Sequence, residues 1–108
     1  MDRSRLGKCY QLSGRYATEH PGSVLVHGSI EGMGMPRLKH AFVLTSETHV
    51  DKTGGKQFKK WKVWEPVTNE VWELDAFCAF FSPHVDDEYT HKEVLAATLL
   101  TAHWGPWK

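Results

Sequence analysis

Three runs rich in β-branched and aromatic residues fill the middle of the chain: "SVLVHGSI" (23–30), "LKHAFVLT" (38–45) and "KKWKVWEPV" (59–67). Turn signals separate them, so each run predicts one strand. "EGMGMPR" (31–37) reads as a turn or loop. "HVDKTGGKQF" turns at Gly54-Gly55 as a hairpin tip, and Thr68-Asn69 leads into a short fourth strand over 70–74. Helical patterns bracket this block. Leu6, Cys9, Leu12, Tyr16 and Ala17 stand at helical spacing and predict a helix from Lys8 to Glu19, capped by Gly7 and ended by "HPG" at 20–22. "DAFCAFF" (75–81) reads as one or two helical turns and "SPHVDDEY" as a loop. "THKEVLAATLLTAH" reads as a helix opened by the capping-box pair Thr90 and Glu93 and stopped by Gly105-Pro106. Helix, about four strands, then helix predicts an α+β fold with an antiparallel sheet, in a single domain over 1–108.

Composition bounds the partners. The 13 basic and 13 acidic residues cancel, so net charge argues neither for nor against nucleic acid. No stretch approaches the roughly 18 apolar residues of a membrane span. "MDRSRLGKCY" has no apolar run, which predicts no signal peptide and a reducing, cytoplasmic setting. The two cysteines, Cys9 and Cys78, are therefore read as free thiols, Cys78 in the core. No C-x-x-C, H-x-x-x-H or HExxH spacing occurs among the seven histidines and two cysteines, so no metal or cofactor is expected.

Cys9 falls in the first turn of the predicted helix. A helix N-terminus and a neighbouring imidazole both stabilise a thiolate, and the imidazole needs an acceptor behind it to fix its tautomer and support its charge. His40 lies on the apolar face of the second strand with Leu38, Phe42 and Leu44. Glu65 shares a face of the third strand with Trp61 and Val63. If those strands are neighbours, His40 and Glu65 are cross-strand partners. Each residue also has a plainer reading: Cys9 as a small buried hydrophobe, His40 as a core histidine bonded to backbone, Glu65 as an edge-strand acid paired with a lysine.

The pieces "KCYQLSGRY", "KHAFVL" and "VWEPV" resemble the papain-like fold, in the style of its small transglutaminase-like and cell-wall amidase branches. "LVHG" (25–28) and "HWGPW" (103–107) extend the likeness to small phage and mobile-element proteins. "HAF" stands where "HAW" is more usual, and Glu65 where Asp is. The resemblance implies a minimal papain-like fold and a cysteine hydrolase or acyltransferase acting on an amide or acyl bond. In it, Cys9 is the nucleophile, His40 the base and Glu65 its orienter. The substrate is then a peptide, a protein or a small amide. An oxyanion hole needs the Cys9 N–H and a second donor, for which Tyr10 and His27 are the candidates.

The alternative is a non-catalytic binding protein on the same scaffold, such as a phage-type inhibitor acting in the host cytoplasm. Its interface is the lysine-rich hairpin 52–62, with Lys52, Lys56, Lys59, Lys60 and Lys62 interleaved by Phe58, Trp61 and, just beyond, Trp64. The rest of the chain adds no basic face, so a nucleic-acid partner is not expected. His103, Trp104 and Trp107 close the last helix, the histidine on the helix dipole and the tryptophans over the core.

Overall fold

A computed structural model describes residues 8–32 and 35–107. The elements are α1 (Cys9–Glu19), β1 (Val24–Gly32), β2 (Met35–Val50), β3 (Gln57–Glu65), β4 (Glu70–Glu73), α2 (Leu74–Phe81), β5 (His84–Thr90) and α3 (His91–Thr101). The strands form one antiparallel sheet in the order β4-β3-β2-β1-β5. The fold is α+β, with a helix near each end of the chain.

Strand alternation gives the sheet two apolar faces. Leu25, Ala41, Val43, Trp64 and Tyr89 pack with Ala17 of α1 and Val94 of α3. Val26, Ile30, Phe42 and Val63 pack with Phe77 and Phe81 of α2 on the other face. The helix that Phe42 meets is thus α2, through a ring contact with Phe77 at 4.8 Å. α1 ends as the sequence predicts, with His20 at the C-cap and Gly22 at φ +88°. Its N-cap is Lys8, and the predicted cap Gly7 lies outside the described residues; of the loop expected over 31–37, Met33 and Gly34 also lie outside them, and the rest extends β1 and β2. The hairpin tip forms at Gly55, φ +66°, closed by Asp51 N–H to Lys56 O at 2.8 Å. In α3 the Thr90 hydroxyl accepts from Glu93 N–H at 3.3 Å, and Glu93 Oε1 accepts from Thr90 N–H at 3.1 Å.

Three expectations are corrected. The segment predicted as a loop contains β5, paired with β1 from Val24↔Thr90 to Ser29↔His84. Its residues are mostly polar because only Tyr89 is buried. Cys78 is exposed, since α2 is short and buries only Phe77 and Phe81, one turn apart. α3 ends at Thr101 with Ala102 in the left-handed region, φ +57°, before Gly105-Pro106 is reached.

β5 is irregular where it matters most. Between His27 and Gly28 its register slips, so Asp87 faces His27, Val85 faces Gly28 and Asp86 is the extra residue. The slip drives the His84 carbonyl onto Gly28, where an added Cβ would meet that oxygen at 1.9 Å. Gly28 also pairs with His40, so this close approach supports the row that carries the site. Gly28→Ala is expected to destabilise the protein by about 2 kcal/mol or more, whereas Gly54→Ala, whose Cβ has only Asp51 Oδ2 at 3.7 Å, changes stability little. Urea unfolding of both variants checks this.

Candidate active site

α1 begins at Cys9; among the described residues no side chain caps it, and its first turn holds no acid. The positive end of the helix is therefore left for whatever lies against it. Cys9 is 7 % exposed, His40 4 % and Glu65 0 %. β2 and β3 are neighbours, and their register sets Val43 against Trp64, so Glu65 falls opposite Phe42. β3 stops there, two residues short of the position facing His40.

Across this diagonal His40 Nε2–H donates to Glu65 Oε1. The other carboxylate oxygen accepts from Val67 N–H at 3.1 Å and Thr68 N–H at 3.4 Å. The turn that follows β3 thus holds the acid in one orientation. Cys9 is the second hydrogen-bonding partner of His40. Burial alone would push the His40 pKa down. The hydrogen bonds to Cys9 and Glu65 and the negative charge at both outweigh it and hold the pKa up, at about 9. The three residues singled out in the sequence are thus brought together as thiol, imidazole and carboxylate, in that order.

The other candidates divide. Tyr10 follows Cys9 and sets its ring edge-on to His27 at 4.7 Å. Burial, then Cys9, then Asp86 push its phenol pKa up. His27 is buried against Tyr89 and Trp107, and burial lowers its pKa to about 4 against the opposing pull of Asp87. His27 Nε2 has no hydrogen-bond partner among the described residues, and neither has Ser13 Oγ, one turn beyond Cys9. No pattern in the sequence marks Ser13. Trp64 is brought into the core, stacked on Tyr16 at 4.2 Å, and not to the site. A groove of about 400 Å³ lies at the far end of α1 among Tyr16, Glu19, His20 and Thr45–Glu47.

Among the described residues no group of His, Cys, Asp and Glu is placed to hold a metal ion, and no helix is long and apolar enough to cross a membrane. Comparison with family models, curated proteins and solved structures finds no match. The papain-like resemblance therefore stands on the residues alone.

The sign of the His40 shift makes a pH prediction. A pKa raised from 6.5 to about 9 contributes stability that is present below pH 6.5 and is lost as pH rises through 9. That shift corresponds to roughly 3 kcal/mol. The difference in unfolding free energy between wild type and His40→Ala should shrink by about that amount from pH 6 to pH 10. A difference independent of pH would show that His40 is not held protonated.

Proposed function

We propose that the protein is a cysteine-dependent hydrolase or acyltransferase acting on an amide or related acyl bond. The observation that carries this reading is the buried His40 bridging Cys9 and Glu65. The thiolate is the nucleophilic form of a cysteine, and an imidazole within reach is the group that exchanges its proton. The thiolate attacks the carbonyl carbon, and the C–S bond forms as the C–N bond breaks. His40 gives its proton to the departing amine and is left neutral. It then takes a proton from water or an acceptor amine, whose attack on the thioester expels the thiolate and restores the starting state. Glu65, pinned by Val67 and Thr68 N–H, keeps the ring aligned through both half-reactions. The N-terminal end of α1, with Cys9 in its first turn, suits an oxyanion at the reacting carbonyl. A papain-like ancestry and a cytoplasmic setting are parts of the same proposal.

The binding-protein alternative rests on the hairpin lysines, and ion pairs weaken it. Lys60 pairs with Glu73 at 3.6 Å, and Lys62 with Glu47 at 3.6 Å and Glu73 at 3.8 Å. Phe58 is exposed but lies on His49, and Trp61 is half-buried. Peptide, protein or small amide is the substrate class that fits the chemistry.

Alkylation kinetics test the reading in a Cys78→Ser background, which removes the exposed thiol. Iodoacetamide should modify Cys9 at pH 7, and His40→Ala should slow the reaction about tenfold or more. Equal rates with and without His40 would remove the catalytic pair. Lys59→Glu with Lys60→Glu should leave the rate unchanged.

A further inference from the structure

The residues after α3 fold back over the flank of α1 that adjoins the site. Tyr10 and Gly14 stand four apart and share one stripe of the helix, beside the stripe of Cys9 and Ser13. Trp104 sits on Gly14 so closely that a Cβ there would meet its Cε3 at 2.5 Å. The Arg15 guanidinium lies 5.8 Å from the Trp104 ring. Gly105 lies against the His27 ring, and Trp107 packs on His27 at 5.3 Å and Tyr89 at 5.0 Å.

How this segment is held is informative. The hydrogen bonds of His103, Gly105 and Trp107 stay within Thr101–Trp107: Gly105 N–H to His103 Nδ1 at 3.1 Å, Trp107 Nε1–H to His103 O at 3.1 Å, and the Thr101 hydroxyl with His103. The groove beneath receives aromatic surface and, among the described residues, no hydrogen bond from them. His27, 4 % exposed, is covered with its Nε2 unpartnered. A buried imidazole without a partner is costly, and a ligand that supplied one would bind there with an advantage the segment lacks.

We propose that Ala102–Trp107 is a displaceable cover on a groove lined by Tyr10, Gly14, His27 and Tyr89, and that this groove takes the aromatic side chain of a peptide substrate, with a hydrogen bond to His27 Nε2. The proposal rests on the Cys9 reading, because Tyr10 and Gly14 flank the thiol's stripe of α1. The cover's own tryptophans then stand in for the substrate, and their departure opens the side of Cys9. Burial lowers the His27 pKa, and Gly105 and Trp107 of the cover are among the groups that bury the ring.

The test uses the full-length Cys78→Ser protein. Gly14→Ala favours the helix while denying Trp104 its seat. It should speed hydrogen exchange over 102–107, raise the iodoacetamide rate at Cys9 about tenfold, and bring the His27 titration up from about 4 toward the ordinary value of about 6.5. Trp104→Ala with Trp107→Ala, its helices verified by circular dichroism, should react equally fast. The free peptide AHWGPWK should slow it again, and the same peptide with both tryptophans changed to alanine should not. Unchanged exchange in Gly14→Ala, a loosened segment with an unchanged Cys9 rate, or no effect of the peptide would each overturn the proposal. Adding His40→Ala separates the two claims: acceleration by Gly14→Ala with no dependence on His40 removes the Cys–His pair and leaves the cover.

Discussion

A carboxylate with no exposed surface has to be matched by charge and hydrogen bonds, and Glu65 is matched by three groups: His40, Val67 N–H and Thr68 N–H. Isolated burial of such a charge would cost several kcal/mol. The arrangement around it follows from that need. β3 ends at Glu65 so that the next residues turn back and point their N–H groups at its own carboxylate. β2 continues past that end and delivers His40 diagonally. The imidazole, held protonated by this acid, is then the cation against which the Cys9 sulfur sits.

The neighbouring strands serve the same row. His40 pairs with Gly28, and Gly28 with Val85, so the site is tied across the sheet to the bulge in β5. That bulge needs the missing side chain of Gly28 to bring the His84 carbonyl in. Core packing then clamps the row from both faces, α1 and α3 on one and α2 on the other.

Much of this was legible in the sequence because it is encoded locally. β-branched runs, the Thr90–Glu93 box, the Gly-Gly tip and the helical spacing around Cys9 each carry their own signal. The pairing of His40 with Glu65 was legible by alternation once β2 and β3 were taken as neighbours. β5 was not legible, because "HVDDEY" is an exposed, polar edge strand whose only buried residue is Tyr89. Its place comes from β1's free edge, a property of tertiary structure. "FCAFF" looked uniformly apolar, yet an eight-residue helix on a sheet buries one stripe and leaves Cys78 and Phe80 outside. Trp64 read as a surface for stacking a ligand, but a tryptophan at an inward strand position is claimed by the core. The closeness of the C-terminal tryptophans to Gly14 and His27 has no local signal at all, since it joins the two ends of the chain.

The account turns on His40 being an imidazolium between the thiol and the carboxylate. Long-range ¹⁵N–¹H spectra of the histidine-labelled protein, followed with pH, read this directly. The account predicts that both His40 ring nitrogens are protonated at pH 7, that the proton is lost only near pH 9, and that Cys9→Ala or Glu65→Gln moves that loss to lower pH. A neutral His40 tautomer at pH 7, or a titration that ignores both substitutions, would contradict it.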